Sequence, residues 1–340
     1  MTDSAVRADP PLAGKTPARG GTVLLALVTI YLVWGGTFSG TKIALESIPP
    51  LMLTSSRFIV AAVLLLAVAR LAGRRVRLVA AEWRATAWAG LVLVGVGSSL
   101  LGLGQVHVDS GLASLIVASV PLWTLVLGAV VGHRPTRGAV SGVILGLAGL
   151  VLLVGTSLTG PSSVVGIGLL VGSTLAWAGG SLLCQRMRLP TDTLVSAGWQ
   201  MLAGGLAVAG VAVAAGEVSV MMATGLTTRA MLAWVVLTVV GTTVGYSTYG
   251  WLLQNASLPL ATTYAYVNPV VAVAIGVALL GERLTAAQAP GALLVLGAVA
   301  LVIAAERRIA QPAMAVPGPG LGACATVGPV GPSLREETRP

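Results

Sequence analysis

Residues 111–153, GLASLIVASVPLWTLVLGAVVGHRPTRGAVSGVILGLAGLVLL, have a counterpart later in the chain. Residues 259–302 read PLATTYAYVNPVVAVAIGVALLGERLTAAQAPGALLVLGAVALV. Each stretch starts with small residues and carries a proline inside its first apolar run, Pro121 or Pro269. Each then passes through a glycine and a charged turn into a glycine-rich apolar run. This self-similarity indicates that the second half of the chain repeats the first.

The composition predicts an integral membrane protein. Of the 340 residues, 56% are hydrophobic and only 9% are charged, whereas a soluble domain is about 25% charged. Mean hydropathy is +0.92, so too few polar side chains remain to cover a surface that faces water. This excludes a soluble α-helical domain. The two cysteines, Cys184 and Cys324, form neither a disulfide framework nor a metal site.

The chain is predicted to be all-α, with ten transmembrane helices. A helix needs about 20 apolar residues to cross the bilayer. Runs of this kind lie at 22–44, 51–70, 85–105, 111–131, 138–156, 163–184, 194–215, 230–253, 259–280 and 287–305. They divide into a first five-helix repeat, 21–156, and a second, 163–305, between disordered cytoplasmic tails at 1–20 and 306–340.

An odd number of spans in each repeat has a mechanistic consequence. The second copy must enter the membrane from the opposite side, so the two repeats are predicted to be inverted. At one common offset, Trp34 aligns with Trp177 and Arg57 with Gln200. Inverted halves can exchange conformations and open a central site first to one side and then to the other. The pattern therefore favours a transporter that works by alternating access.

The basic residues predict the orientation. The net charge of +9 would suggest nucleic acid as the partner of a soluble protein, but here the Lys and Arg residues lie in short loops between apolar runs. With both termini in the cytoplasm, all but Lys42, Arg57, Arg229 and Arg283 of the 20 basic residues face inward. Arginine outnumbers lysine, which is typical of GC-rich bacteria. We therefore expect a bacterial inner membrane protein whose partners are the bilayer and a small-molecule solute.

Several motifs resemble a known family. VWGGTF (33–38) lies in the first span, SSRF (55–58) in the second, and NPVVAVAIGVALLGERLTAAQAPGALLVLGAVALV ends the second repeat. Over about 22–305 the chain resembles an EamA-type member of the drug/metabolite transporter superfamily. The first repeat departs from the pattern at His133, where the family usually has Glu. The resemblance implies a secondary transporter, often an exporter, of small metabolites such as amino acids.

No catalytic, metal, cofactor or ATP-hydrolysing site is predicted. GGTFSGTK (35–42) looks like a phosphate loop, but Thr41 separates the last glycine from Lys42, which the P-loop pattern does not allow. No ATPase subunit is implied, and an intramembrane enzyme would need a nucleophile with His or acids at depth. A channel or scaffold fits an inverted repeat poorly. The sequence makes no prediction of oligomeric state.

The candidate substrate-binding residues are polar or aromatic side chains inside the spans. Arg57 lies two turns into the second span, where a charge is costly unless it faces a cavity or a partner; an Arg fork suits a carboxylate. Alternatively it snorkels to the outer interface or pairs with Glu46. Trp34 and Trp177 lie mid-span at matched positions, facing a central cavity or packing against lipid.

Further polar groups share helix faces. Tyr246 and Tyr249 are three apart, and Tyr264 and Asn268 four apart, so each pair lies on one face. These pairs line a polar cavity or bond between helices, and Gln200 joins them as the symmetric counterpart of Arg57. Pro121 and Pro269 are predicted hinges, and Lys42 is either part of an outer gate or a solvated residue at the outer end of its span. If the cavity is aromatic and weakly charged, the alternative function is an exporter of drugs or toxic secondary metabolites.

Overall fold

The computed structural model describes residues 20–132, 137–157, 164–255, 264–283, 286 and 288–310. Within these ranges all regular structure is helical. Both predicted tails lie outside the described residues, except for residues 306–310 and residue 20, as does His133.

The first half of the chain forms seven α-helices and one π-helical segment. The α-helices are α1 (Gly20–Ala44), α2 (Pro50–Leu71), α3 (Ala80–Gly90), α4 (Ser99–His107), α5 (Ser110–Val117), α6 (Val120–Val130) and α7 (Arg137–Ser157). The π-helical segment, π1 (Leu91–Ser98), joins α3 to α4 in one continuous membrane-length helix.

The second half repeats this order. Its elements are α8 (Val164–Arg186), α9 (Thr193–Ala214), α10 (Glu217–Thr224), α11 (Thr228–Val236), π2 (Leu237–Val244), α12 (Gly245–Asn255), α13 (Tyr264–Leu280) and α14 (Ala289–Ala310). As in the first half, a π-helical segment interrupts the third long helix. The short helix α10 lies between the predicted spans 194–215 and 230–253.

Seven helices of the described chain are long and apolar enough to cross a membrane. They correspond to predicted spans one to four and six to eight. Shorter apolar helices, Arg137–Leu152, Val267–Leu280 and Ala289–Leu301, lie at the fifth, ninth and tenth predicted spans. The prediction of an all-helical membrane protein is confirmed, and the count of ten stays a prediction.

The fourth predicted span differs from a single kinked helix. It breaks between α5 and α6, where Ala118 and Ser119 form a turn. Pro121 then occupies the first turn of α6, a position where its missing N–H costs nothing. Pro269, by contrast, lies inside α13.

Glycines let the helices of the two halves approach closely. α2 packs along α9 and α7 along α14. A Cβ atom on Gly149 of α7 would lie 2.7 Å from Leu294 Cβ of α14, and a Cβ on Gly198 of α9 would lie 2.9 Å from Leu66 Cγ of α2. Small residues at such crossings are how helices associate in lipid, where burial of apolar surface gives little driving force.

Candidate functional site

A cavity of about 440 Å³ lies between the two halves of the chain, within the size range of small-molecule sites. Helices α1, α2, α4, α5, α6 and α8 line it together with α12, α13 and both π segments. Nine of the predicted site and hinge residues are among the lining residues: Trp34, Arg57, Pro121, Trp177, Tyr246, Tyr249, Tyr264, Asn268 and Pro269.

Arg57 brings a positive charge to the cavity wall. Its Nε donates to the Thr242 hydroxyl of π2 at 2.9 Å, and its Cζ lies 4.9 Å from the centroid of the Phe58 ring. In the described chain no carboxylate forms an ion pair with Arg57. The suggested partner Glu46 instead pairs with Arg229 at 3.4 Å, so the alternative of an Arg57–Glu46 pair is wrong.

Trp34 is the centre of an aromatic cluster, defined here as Trp34, Tyr246, Tyr249 and Tyr264. The Trp34 ring centroid lies 5.5 Å from that of Tyr246, 5.2 Å from Tyr249 and 4.9 Å from Tyr264. Tyr249 and Tyr264 are 5.5 Å apart with their rings nearly perpendicular, a favourable edge-to-face geometry. The indole Nε1 donates to the Gly241 carbonyl at 3.2 Å, which fixes the ring against π2.

Trp177 packs in the equivalent way but without an aromatic cluster. A Cβ atom on Gly97 of π1 would lie 3.0 Å from the indole Nε1 of Trp177. In the same way, a Cβ atom on Gly245 of α12 would collide with the indole of Trp34. Each tryptophan therefore packs against a glycine at or beside the π segment of the other repeat. Within the described residues Trp177 makes no ring pair, so the two halves of the cavity differ in chemistry.

Asn268 contributes an unused hydrogen-bond acceptor. The residue is 9% exposed, and its Oδ1 has no hydrogen-bond partner in the described chain. A buried amide oxygen without a partner is costly. In a cavity wall, it can accept a hydrogen bond from a ligand.

Gln200 and Lys42 are not among the lining residues. The Gln200 Nε2 donates to Ser196 Oγ one turn away at 2.9 Å, and its backbone abuts Gly90 of α3. That helix crossing separates Gln200 from the cavity although it aligns with Arg57. Lys42 Nζ donates to two carbonyls at the end of α4, those of Gln105 and Val108, both at 3.0 Å.

Hydroxyl side chains also line the cavity, and the sequence singles out few of them because isolated hydroxyls in apolar spans are common. Thr37, Thr41, Thr54, Ser98, Ser114 and Ser181 line the cavity. Their presence in otherwise apolar helices is the only signal that could have found them. Within the described chain, no group of three or more His, Cys, Asp or Glu residues could hold a metal ion.

Comparison with known proteins adds a family match. The model of the EamA-like transporter family matches residues 21–155 and again 164–304. The chain is 36% identical over 263 residues to the uncharacterized inner membrane transporter YedA of Escherichia coli K12, covering 76% of this chain and 83% of the relative. It is 27% identical over 293 residues to a probable amino-acid metabolite efflux pump of Salmonella typhimurium LT2, covering 80% and 91%.

A solved crystal structure has the same fold. It aligns with a TM-score of 0.57 at 21% sequence identity and covers 86% of this chain and 99% of its own. At that identity the likeness concerns the fold alone.

Proposed function

Because this chain belongs to the EamA-like transporter family, and is a membrane transporter rather than an enzyme, we propose that it exports a small carboxylate-bearing metabolite by alternating access. The solute is an amino acid or a related compound. The protein is a multi-pass protein of the bacterial inner membrane, and both termini lie in the cytoplasm.

The observation that carries this proposal is that no carboxylate of the described residues pairs with the guanidinium of Arg57. A charge inside a membrane-spanning helix is retained where it serves a substrate path. One edge of the guanidinium is held by Thr242, and the described residues offer no carboxylate to the remaining N–H groups. A planar guanidinium binds a carboxylate through two parallel hydrogen bonds, so a substrate carboxylate would supply the missing partner.

The rest of the cavity suits a small amphipathic solute. The aromatic cluster presents ring faces and edges, and the Asn268 Oδ1 can accept a hydrogen bond from an ammonium or hydroxyl group. An aromatic face also attracts a cation. Together with Arg57, these groups support a solute that carries a carboxylate, a second polar group and some apolar surface.

Alternating access is supported by the position of the cavity. Both repeats contribute to its walls, and a site between inverted repeats can face each side in turn. Export is proposed because the Salmonella relative is named an efflux pump.

The test is transport by purified protein in proteoliposomes. A panel of amino acids, their amidated derivatives and cationic dyes is assayed with and without a pH gradient. We expect uptake of carboxylate-bearing solutes and no uptake of the matched amides. Arg57→Gln should raise KM for the carboxylates about tenfold or more, since a charge-assisted bond contributes about 1.5–3 kcal/mol. If no solute moves in either condition, or if the amides move as well as the acids, the proposal is wrong.

A second candidate function is export of drugs or toxic secondary metabolites. The aromatic cluster is the observation that favours it, because aromatic side chains pack against flat apolar compounds with little need for charge. Transport of the dyes alone, unaffected by Arg57→Gln, would identify this function instead.

A further inference from the structure

We propose that Glu282 holds the predicted outer face of the transporter closed, and that this face opens only when the Glu282 carboxylate leaves the N-terminus of α5. Glu282 would thus be a positioning residue for the transport cycle, remote from the cavity lining. This inference rests on the proposed alternating-access function.

The Glu282 carboxylate forms three hydrogen bonds with α5. Its Oε1 accepts from the Ser110 N–H at 2.7 Å, and its Oε2 accepts from the Ser110 hydroxyl and the Gly111 N–H, both at 2.9 Å. The two N–H donors belong to the first turn of α5, whose N–H groups have no partner within the helix and where the helix dipole stabilises a negative charge. Asp109, the residue at the usual capping position, makes no side-chain cap, so Glu282 satisfies the helix start instead.

Three glycines shape the site for this contact. Gly281 has φ +66°, which ends α13 and turns the chain so that Glu282 points back. A Cβ atom on Gly276 of α13 would collide with the Glu282 carboxylate, and one on Gly111 would lie 3.2 Å from Val273 Cγ2 of α13. The outer ends of α5 and α13 therefore touch directly beneath the carboxylate.

The same contact extends to the other helices around this face. The Ser110 hydroxyl lies 3.2 Å from the Ser39 hydroxyl of α1. Three residues further along α1, Lys42 ties that helix to the end of α4 through the Gln105 and Val108 carbonyls. Glu282 thus lies at the point where α1, α4, α5 and α13, all of which line the cavity, converge.

A second acidic residue on the same face provides a matched control. Glu217 Oε2 accepts from the Met52 N–H at the start of α2 at 2.8 Å, so it too satisfies a helix start across the repeats. It joins α2 to the start of α10, which follows α9, and α2 and α9 pack together along their length. Loss of this bond should lower the stability of the protein without separating α5 from α13.

The experiment measures access to the cavity from each face. Cys184→Ser and Cys324→Ser remove the native thiols, and Val117→Cys places a probe on α5 in the cavity wall. A membrane-impermeant, charged methanethiosulfonate is applied to right-side-out and to inverted vesicles. The labelling rate is compared in the parent, Glu282→Ala, Glu282→Gln and Glu217→Ala. Glu282→Gln keeps the side-chain volume, so the test still works if the alanine variant does not fold.

In both Glu282 variants, the Val117→Cys probe is expected to label at least about tenfold faster from the predicted outer face and more slowly from the opposite face. The tenfold change corresponds to the loss of one charge-assisted hydrogen bond. Glu217→Ala should leave both rates within about twofold of the parent. Unchanged rates in both Glu282 variants, or an equal increase in Glu217→Ala, would overturn the proposal.

The proposed function fails in a different way. If the parent protein moves no solute of the proteoliposome panel, the proposed transport is wrong whatever the labelling rates are. Because that measurement uses only the parent, it is separate from the effect of the Glu282 variants.

Discussion

Arg57 and Asn268 show how a polar group that is not fully hydrogen-bonded differs from one that serves the fold. Arg57 keeps one bond, to Thr242, and Asn268 Oδ1 has none within the described chain. Lys42, in contrast, is satisfied by two carbonyls. Polar groups that are satisfied hold helices together, whereas those that are not are the natural places for a solute.

Replacing Asn268 should separate binding from stability. In Asn268→Leu the unpaired oxygen is lost while the number and branching of the side-chain heavy atoms stay the same, a change that is about neutral or stabilising when no partner is left behind. We expect an apparent melting temperature equal to or above that of the parent, and a KM for the transported solute raised several-fold. A large fall in melting temperature would mean that Asn268 has a structural partner.

Asp109, which lies between α4 and α5, gives a prediction about pH. Although the residue is exposed overall, burial of part of its carboxyl raises its pKa, the negative charge of Glu282 raises it further, and Lys42 lowers it. When the pKa of a carboxyl is higher in the folded than in the unfolded protein, its full contribution to stability is present at pH values below the unfolded pKa. As the pH rises through the folded pKa, the carboxyl loses its proton and this contribution to stability is lost.

Asp109→Asn is therefore expected to raise the apparent melting temperature at pH 7, with the gain shrinking toward about pH 4. Thermal unfolding across that range measures it. Asp192→Asn is the control and is expected to lower the apparent melting temperature, because Asp192 accepts from the Leu194 and Val195 N–H groups and pairs with Arg74 at 2.9 Å. A gain for Asp109→Asn that grows as pH falls would contradict this assignment.

At the scale of the helix, the two π segments are the main departure from regular structure. Each occupies eight residues in the third long helix of its half, and hydroxyls accompany the altered bonding: Thr242 Oγ1 donates to the Leu237 carbonyl and Thr243 Oγ1 to the Thr238 carbonyl, both at 3.0 Å. π-Helical turns often occur at functional sites. Here π2 presents the Gly241 carbonyl to Trp34 and the Thr242 hydroxyl to Arg57.

The glycines at helix crossings give a prediction about stability. A Cβ atom on Gly90 of α3 would collide with the backbone carbonyl of Gln200 in α9, whereas one on Gly210 of α9 meets nothing within 4 Å. Backbone cannot move aside as a side chain can. We expect Gly90→Ala to lower the free energy of unfolding by about 1–3 kcal/mol, and Gly210→Ala to leave it unchanged or raise it. Equal stability of the two variants in detergent would contradict the packing described for α3 and α9.

The whole molecule combines equivalent helix pairs with a cavity between them. α2 packs along α9, α7 along α14, and α5 against α13. In addition, α1 of the first repeat packs against α13 of the second, and α8 of the second repeat packs in the equivalent way against α5 and α6 of the first. This arrangement is what a two-fold relation between the repeats produces, and it supports the proposed inverted repeat.

Cross-linking can distinguish moving from static pairs. In a background with Cys184 and Cys324 replaced by Ser, the pair Gly111→Cys and Val273→Cys would join α5 to α13. Oxidation is expected to reduce transport to a few per cent of the reduced sample, with recovery on reduction, because one face can no longer open. The pair Leu66→Cys and Gly198→Cys across α2 and α9 should leave more than about half of the activity. Full transport by the oxidised α5–α13 pair would contradict alternating access.

The membrane class, the helical content, the repeat and the family resemblance could all be recognised in the sequence. Each depends on composition or on local pattern: apolar runs of bilayer length, basic loops, and motifs such as GERLT at 281–285. Polar and aromatic residues inside apolar spans also identified Arg57, Trp34 and the tyrosines as candidates, because such residues are costly in lipid without a partner.

Only the tertiary structure decided which of these residues meet. Trp34 bonds to a carbonyl 207 positions away, and Arg57 to a hydroxyl 185 positions away. Gln200 has the right alignment but bonds within its own helix and does not line the cavity, and Glu282 reaches a helix start 172 positions earlier in the chain. These outcomes depend on helix rotation, on π-helical turns and on glycine crossings. A hydropathy pattern does not contain that information, because it records where a residue lies along the chain and not which neighbour its side chain contacts.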